Sequence, residues 1–182
     1  METTDEIIIV DLEATCWEGD GEYQKQRSEI IEIGVCKLDV DTGRIIASEG
    51  ILVKPVYSEI SAFCTKLTTI TPKMVEEQGV SLKEACSILE ERYNAKKLTW
   101  VSYGAYDRSM LKEQCAKFGV RYPMSAHHIN VKVLFAEVYQ LSKGIGMERA
   151  LRMLNLPLQG THHRGVDDAR NIAKIFSRLV EA

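Results

Sequence analysis

The feature of this sequence that most constrains its fold is an unbroken apolar run, residues 7–10, which two acids follow at once. The run contains only isoleucine and valine, and β-branched residues without polar alternation are typical of a strand buried on both faces at the centre of a sheet. If that strand continues through Asp11 and Glu13, the two carboxylates project from one face about 6.5 Å apart. The chain is therefore expected to fold around this strand, with paired acids near its carboxyl end.

The remaining pattern predicts an α/β fold in which helices cover a mixed sheet. Segments rich in β-branched residues predict four further strands, at 30–38, 44–53, 98–103 and 129–133. Capping residues and 3.6-residue apolar spacing predict helices at 71–79 and 81–93, then helices ending near 118 and 139, then helices at 147–154 and 166–180. Strands first, followed by alternating strands and helices, indicate a mixed five-stranded sheet.

Composition excludes several classes of protein. The chain has 182 residues, 45% hydrophobic and 27% charged, without repeats or linkers, so one domain spanning 1–182 is predicted. No apolar run approaches the roughly 18 residues of a membrane span, and the first apolar stretch follows acids rather than the basic residues of a signal peptide. Five scattered cysteines without a Cys-x-x-Cys pair are typical of a reduced intracellular protein, so we expect a cytoplasmic location and no membrane partner.

The net charge of −3 conceals two strongly opposed halves. Residues 1–91 hold 8 Lys and Arg against 19 Asp and Glu, a balance of −11, whereas residues 92–182 hold 15 against 7, a balance of +8. A basic half indicates an anionic partner such as a nucleic acid, although a dipolar surface without a partner has the same charge pattern.

The acids after the central strand require a physical explanation, because two carboxylates at the end of an apolar strand repel each other and resist burial. A divalent cation between Asp11 and Glu13 resolves both effects, although a turn in which both acids face water also fits the sequence. Asp107 follows the predicted strand at 98–103, where it either joins such a site or caps the next helix.

The last predicted helix, 166–180, separates the roles of two adjacent acids. Helical spacing places Asp167 on a stripe with Asn171 and two basic residues, a face predicted to be solvated. The same spacing places Asp168 on a stripe with isoleucine and leucine, which faces the core. A carboxylate on the buried side of a helix needs a partner, and a metal ion shared with Asp11 would serve.

The loop before that helix carries two histidines, His162 and His163. Paired histidines on a polar loop are most often a surface feature, but a histidine beside carboxylates has a suitable pKa to accept a proton from water near neutral pH. The oxygen ligands of the four acids suit Mg²⁺ or Mn²⁺ rather than zinc. Two such ions and one mobile base are the components of two-metal phosphodiester hydrolysis.

Three motifs together resemble those of the DEDDh 3′–5′ exonuclease superfamily, whose fold is RNase H-like. They are IVDLEAT at 9–15, SYGAYD at 102–107 and HRGVDDA at 163–169. The resemblance covers nearly the whole chain and implies a catalytic site with two Mg²⁺ or Mn²⁺ ions and a histidine general base. The implied metal ligands are Asp11, Glu13, Asp107 and Asp168.

The third motif leaves a choice between two residue pairs. His162 with Asp167 and His163 with Asp168 both satisfy the family's five-residue spacing. The inward face of the helix and the following Ala169 both favour His163 and Asp168, so His163 is the expected base.

Within the superfamily, the sequence is most similar to the Eri-type branch, which trims RNA 3′ ends and includes KapD-like bacterial chains. The supporting stretches are DLEATC at 11–16, FCTKLT at 63–68 and WVSYG at 100–104. Ser102 stands where many members of the superfamily carry an asparagine, so the second motif departs from the common pattern beside Asp107.

The resemblance also implies a set of residues that contact the terminal nucleotide. These are Leu12, Ala14, Thr15, Phe63, Leu67 and Thr68. Core packing is an equal alternative for Phe63 and Leu67. Trp17 and Tyr106 are candidates to stack on bases, and Arg164 is either a phosphate ligand or a simple surface residue.

The sequence therefore predicts a metal-dependent exonuclease that hydrolyses single-stranded 3′ ends, RNA by resemblance, to nucleoside 5′-monophosphates. Two alternatives remain open. One is a DNA 3′–5′ exonuclease of the proofreading or repair type with the same site, because sugar preference depends on how the pocket treats the 2′-hydroxyl. The other is a non-catalytic nucleic-acid-binding protein on the same fold.

Overall fold

A computed structural model of the protein describes residues 5–19 and 21–181. Within these ranges the strands are β1 (Glu6–Ala14), β2 (Ile30–Asp39), β3 (Arg44–Leu52), β4 (Trp100–Ser102) and β5 (His128–Asn130). The helices are α1 (Gly21–Arg27), α2 (Ala62–Thr68), α3 (Pro72–Gln78), α4 (Leu82–Tyr93), α5 (Tyr106–Lys117), α6 (Val131–Val138), α7 (Met147–Met153) and α8 (Gly165–Glu181).

The strands form one mixed sheet in the order β3-β2-β1-β4-β5, so β1 is the central strand, as its sequence predicts. β1 is antiparallel to β2 and β2 to β3, whereas β4 runs parallel to β1 and β5 parallel to β4. Ile8, Ile9 and Val10 are fully buried. The predicted five-stranded α/β architecture is therefore confirmed.

Alternate side chains of β1 enter different layers of the core. Ile8 and Val10 pack with residues of α4 and α5, whereas Ile7 and Ile9 pack with residues of α6, α7 and α8. Because side chains alternate along a strand, Asp11 lies on the same side as Ile9. Its carboxylate therefore faces the layer that contains α8.

The structure departs from several predicted elements. The fourth strand is wrong in its extent, since it covers only Trp100–Ser102 rather than 98–103. The short helices α1 and α2 were not expected from the sequence, and the fifth strand is wrong in its extent, since it covers only His128–Asn130 rather than 129–133. The Asn130 side chain accepts hydrogen bonds from the backbone N–H groups of Lys132 and Val133. This cap turns the chain from strand into helix, so residues 131–133 begin α6.

Two glycines allow α8 to approach the sheet closely. A Cβ on Gly34 of β2 would lie 1.9 Å from the carbonyl carbon of Gly165, the first residue of α8. Only a residue without a side chain fits at this crossing. The first turn of α8 is therefore held directly against β2, next to β1.

No helix within residues 5–19 and 21–181 is long and apolar enough to cross a membrane. All five cysteines are free thiols. Cys86 on α4 and Cys115 on α5 lie close together, with the sulfur atoms 3.8 Å apart.

Candidate active site

Three of the predicted acids meet near the carboxyl end of β1. Asp11 and Glu13 project from β1, and Asp168 approaches them from the first turn of α8. One carboxylate oxygen of each residue lies within 4.8 Å of the other two. Asp168 is buried, so the inward-facing acid of the helix is the one that helical spacing predicts.

Asp107 approaches the same place from the first turn of α5. The residue before this helix, Ala105, occupies the N-cap position without a side-chain hydrogen bond, so the alternative that Asp107 is the cap is wrong. The Asp107 Oδ2 instead accepts a hydrogen bond from the Leu12 backbone N–H at 3.4 Å. Because β4 is too short to pair with β1 at this point, Asp107 supplies the partner that the strand lacks there.

Burial raises the pKa of all four carboxyls, and repulsion between neighbouring acids raises it further for Asp11, Glu13 and Asp107. Burial raises the pKa of Asp11 well above its usual value, and the neighbouring acids, Asp107 first, raise it further. Burial followed by the charge of Asp168 raises the pKa of Glu13 to about 9, and burial raises that of Asp107 to about 7. Burial also raises the pKa of Asp168, although its histidine neighbours act in the opposite direction.

The chemistry of these donors fits a hard divalent cation. Carboxylate oxygens that repel one another in a buried site are stabilised in the ionised form by a shared positive charge. The donor atoms of Asp11, Glu13 and Asp168 are close enough to share one ion. The site can therefore hold a divalent metal.

The two histidines contact Asp168 through different atoms. His162 Nδ1 lies 2.9 Å from Asp168 Oδ1, and the His163 backbone N–H donates to Oδ2 at 3.0 Å. The two rings stack with centroids 3.9 Å apart, and His163 has a φ of +69°, which turns the loop into α8. Ring nitrogens of both histidines lie within 4.8 Å of an Asp168 oxygen, so both are placed to act at this carboxylate.

The environment of His163 favours its neutral form. Burial and the adjacent His162 lower the pKa of His163, while Asp168 and Glu148 act in the opposite direction. A general base must be neutral before it accepts a proton, so a lowered pKa extends its working range toward acid.

A fifth acid, Glu32 of β2, lies beside the cluster and was missed in the sequence. Its side chain is fully buried, and the residue lies opposite Glu13 in the β1–β2 ladder. It accepts hydrogen bonds from the Gly165 backbone N–H and from Arg164, whose Nε and Nη2 lie 3.4 and 3.3 Å away. Its position inside the apolar segment 30–33 is the signal that could have revealed it, because a buried carboxylate needs a partner.

Glu32 anchors the start of the helix that carries Asp168. Its contact with Gly165 fixes the first residue of α8, and its ion pair with Arg164 fixes the residue before it. Arg164 also lies 3.4 Å from the Thr69 hydroxyl beyond α2. The guanidinium is thus not a simple surface group, because a buried carboxylate holds it.

Replacing Glu32 by glutamine should slow catalysis without removing a proposed metal ligand. Glutamine has nearly the same volume but loses the charge that holds Arg164, so the first turn of α8 should shift relative to β1. Losing a group that orients a metal ligand typically costs about 10–100-fold in metal affinity or activity. We expect a fall of that size in kcat, with weaker Mn²⁺ binding measured by calorimetry.

The matched control for this change is Glu49→Gln, which breaks the surface ion pair with Arg92 on the opposite side of the sheet. That variant should retain the wild-type rate. Equal rates in both variants would contradict an anchoring role for Glu32.

Helix α2 forms one wall beside the end of β1. The Cys64 thiol lies 3.6 Å from the Ala14 carbonyl oxygen, which attaches the helix to the strand. Phe63 and Leu67 are 37% and 38% exposed on this helix, so the alternative that they are core residues is wrong. Both side chains are accessible to a nucleotide.

The other residues expected at the nucleotide are less accessible. Leu12 is buried and Ala14 is half-buried, whereas Thr15 and Thr68 have no exposed surface. The Thr68 hydroxyl donates to the Cys64 carbonyl oxygen, and the Thr15 hydroxyl accepts from a backbone N–H. Thr68 therefore supports the wall from inside, whereas Thr15 attaches the end of β1 to Glu29 before β2. A nucleotide cannot touch either side chain without displacing these segments.

The two aromatic residues expected to stack on bases also differ in how exposed their rings are. Tyr106 is 69% exposed and directly precedes Asp107, so its ring is available for stacking beside the acids. Trp17 is half-buried, and its ring packs edge-on against Tyr23 with centroids 4.6 Å apart.

Ser102, the departure within the second motif, contacts residues of the sheet edge. Its hydroxyl donates to the Gly104 carbonyl oxygen at 2.9 Å and lies 2.7 Å from His128 Nε2. Asn130 accepts from the Gly104 N–H at 3.0 Å. Ser102 therefore shapes the loop that leads into α5, and Asp107 is held from β1 instead.

One prediction about α8 is wrong. The stripe is solvated only toward its end, where Arg178 is exposed, because the segment 155–161 covers Asp167 and Asn171. Asn171 is fully buried, and its side chain exchanges two hydrogen bonds of 3.0 Å with the Gln159 backbone. Asp167 accepts from the Thr161 N–H at 2.9 Å. Both side chains thus hold the loop that carries the histidines.

Comparison with known proteins agrees with this geometry. The family model described as Exonuclease (RNase_T) matches residues 8–176. The probable 3′–5′ exonuclease KapD of Bacillus subtilis is 28% identical over 98% of this chain and 86% of its own length. Human 3′–5′ exoribonuclease 1 is 31% identical over 97% of this chain, which spans about half, 53%, of that relative.

Solved structures show the same fold. The nuclease domain of 3′hExo, described as a DEDDh family member bound to rAMP, superposes with a TM-score of 0.84 at 28% identity. The match covers 99% of this chain and 94% of that one. The RNase H-like fold and the family resemblance are therefore confirmed, and this family uses divalent metals, in agreement with the acid cluster. The chain belongs to the DEDDh exonuclease family, in the branch that contains the Eri-type exoribonucleases and KapD.

Proposed function

We propose that this protein is a metal-dependent 3′–5′ exonuclease that shortens single-stranded RNA from its 3′ end and releases nucleoside 5′-monophosphates. The observation that carries the proposal is the convergence of Asp11, Glu13, Asp107 and Asp168 at the end of one buried strand, beside two histidines. A non-catalytic binding protein would have no need for four acids whose burial raises their pKa values.

The four acids are the proposed ligands of two divalent ions, Mg²⁺ or Mn²⁺. Such ions, when bound, stabilise the charge of an in-line phosphoryl displacement and lower the pKa of water. The chain itself fixes the ligands: β1 holds two of them, the Leu12 N–H orients Asp107, and Glu32 holds the helix that carries Asp168. These supports orient the carboxylates before substrate arrives.

His163 is the proposed general base. Its ring lies near Asp168 on a loop that can reach the acid cluster, and its lowered pKa keeps the imidazole neutral. It would take a proton from the attacking water as the water oxygen bonds to phosphorus and the bond to the 3′ oxygen of the shortened strand breaks. His162, whose Nδ1 contacts Asp168, would orient that carboxylate.

RNA is favoured over DNA by the relatives. One is named an exoribonuclease and another solved nuclease domain is described with rAMP bound. In this chain, Phe63 and Leu67 offer apolar surface to a base, and Tyr106 offers a ring for stacking. A DNA exonuclease would use the same acids, so the sugar is the point to test.

The test compares three single-stranded oligonucleotides of one sequence: all-RNA, all-DNA, and RNA with one 3′-terminal deoxynucleotide. RNA should be degraded fastest, and the single deoxynucleotide should slow the first step alone, because only that step presents the altered sugar to the pocket. Equal rates on all three would leave the exonuclease intact but remove the RNA preference. Faster degradation of DNA would replace it with the DNA alternative.

Degradation should slow as salt rises. The half of the chain from residue 92 onward has a balance of +8, and its helices α5 to α8 carry most of these Lys and Arg residues. Each phosphate contact with a single strand contributes about −0.7 to the slope of log affinity against log salt. We therefore expect log(kcat/KM), measured below saturation, to fall against log salt concentration with a slope of about −1.4 or steeper. A flat salt profile would show that phosphate contacts do not contribute to binding.

A further inference from the structure

A cationic cleft lies beside α5, outside the acid cluster. We call it the α5 cleft and define it by Lys96, Arg108, Lys112, Tyr122, Ser125 and His128. It is a concavity of about 440 Å³ between α5, the turn after α4 and the segment that leads into β5. Its position beside the helix that carries Asp107 prompts the question of what it binds.

The charges of the cleft are uncompensated. Three of its residues are cations, and within the described part of the chain no Asp or Glu lines it and none of the three cations forms an ion pair. Lys96 donates to the Tyr122 carbonyl oxygen at 3.0 Å, and the Lys112 ammonium lies 5.6 Å from the centroid of the Tyr122 ring. Neutral groups hold these lysines, so their full positive charge remains available to a ligand.

His128 experiences the resulting field. Burial and the charges of Arg108 and Lys112 lower its pKa to about 4, so it does not add a fourth positive charge near neutral pH. Its Nε2 lies 2.7 Å from the Ser102 hydroxyl, which connects the floor of the cleft to the loop before α5. The cleft is therefore a fixed positive site, and an anion is the ligand that its charge favours.

The composition of the site points to phosphate. An arginine presents a planar fork that matches phosphate oxygens, and lysines add point charges around it. Arg108 directly follows the proposed metal ligand Asp107, and Lys112 lies one turn further along, about 6 Å by helix rise. A strand that leaves the acid cluster along α5 would pass both side chains.

We propose that the α5 cleft binds a backbone phosphate of the nucleic-acid strand whose 3′ end occupies the acid cluster. This inference rests on the proposed function, because it takes that strand to be the substrate. The cleft would lengthen the contact beyond the terminal nucleotide, so substrates too short to reach it should not benefit from it.

The experiment measures binding of a fluorescein-labelled single-stranded RNA in EDTA, where no cleavage occurs, to the wild type and to a double variant, Arg108→Gln with Lys112→Gln. The control is Lys73→Gln with Lys83→Gln, which removes the same charge from exposed positions on α3 and α4. Arg108→Lys with Lys112→Arg keeps the charge and serves as the rescue variant. Thermal melts of all proteins establish that they fold.

In the wild type, log affinity for the strand should fall with log salt concentration. For the cleft variant this slope should be less steep by about 1.4, which corresponds to two phosphate contacts at about 0.7 each. The control and rescue variants should retain the wild-type slope, and a dinucleotide should bind all four proteins equally. Equal losses in the cleft and control variants would reduce the effect to net charge and overturn the proposal. If the cleft variant loses binding of added AMP but binds the strand as the wild type does, the cleft belongs to free nucleotides, and the proposal is overturned.

The two proposals can fail separately. A wild-type protein that cleaves nothing on addition of Mg²⁺ or Mn²⁺, but shows the expected slopes in EDTA, would keep the cleft and reject the nuclease function. Normal cleavage by the wild type, together with an unchanged salt slope in the cleft variant, would keep the nuclease function and reject the cleft.

Discussion

Replacing Asp11 by asparagine should abolish exonuclease activity and at the same time stabilise the metal-free protein. The loss of activity follows because a central carboxylate ligand is removed, and metal ions contribute several kcal/mol of transition-state stabilisation. At about 1.4 kcal/mol per factor of ten, the rate should fall by about 10²–10⁴-fold. Release of mononucleotides from a labelled oligonucleotide measures this loss.

The gain in stability follows from the pKa shifts. A carboxyl whose pKa is raised in the folded state is destabilising when ionised, and the effect is fully present above the folded pKa and disappears below the unfolded pKa. Burial and four neighbouring acids raise the pKa of Asp11, so the neutral amide should relieve repulsion at neutral pH. In a domain of this size about 1 kcal/mol shifts Tm by about 2–4 °C, and we expect a rise of at least that size in EDTA.

The control for both measurements is Asp41→Asn, at an exposed turn position after β2. It should change neither the rate nor Tm. Addition of Mn²⁺ should raise the Tm of the wild type and of this control but not that of Asp11→Asn. A metal-free Asp11→Asn protein that melts below the wild type would contradict the proposed repulsion.

The second large effect distinguishes the two histidines. His163→Ala should reduce kcat by about 10²–10⁴-fold, the range for loss of a general base. His162→Ala should have a smaller effect, at most about 10–100-fold, because it removes a partner of Asp168 rather than the base. Single-turnover rates with saturating metal measure both.

The pH profile separates these roles independently of the size of each loss. The wild-type rate should fall on the acid side at a pH below the ordinary histidine value of 6.5, since burial and His162 lower the pKa of His163. His162→Ala should keep this limb, and His163→Ala should lose it. If His162→Ala loses more kcat than His163→Ala and also loses the acid limb of the pH profile, His162 is the general base.

Residues 7–13 predicted the centre of the fold and half of the acid cluster because one pattern controlled both. β-branched residues without polar alternation belong at the centre of a sheet, and acids that follow them must lie near the carboxyl end of the central strand. Helical spacing likewise identified Asp168 as the buried acid of α8, which the structure confirms. These features depend on short-range periodicity, which a sequence displays directly.

The features that the sequence did not reveal depend on contacts between distant segments. Glu32 lies beside Glu13 only because β2 pairs with β1, and its partners Arg164 and Gly165 are more than 130 residues away along the chain. Asn171 is buried only because the segment 155–161 folds over its face of α8. Local spacing places a residue on a face, but it does not show what covers that face.

The most direct test of the acid cluster as a metal-dependent hydrolytic site is a product-resolved digestion of 5′-end-labelled single-stranded RNA by metal-free protein. On addition of Mg²⁺ or Mn²⁺, the label should appear in a ladder that shortens from the 3′ end, and the released products should be nucleoside 5′-monophosphates. Without metal, and with Asp11→Asn under either condition, the RNA should remain intact. Shortening in EDTA, or release of 2′,3′-cyclic phosphates, would contradict hydrolysis by divalent ions at these four carboxylates.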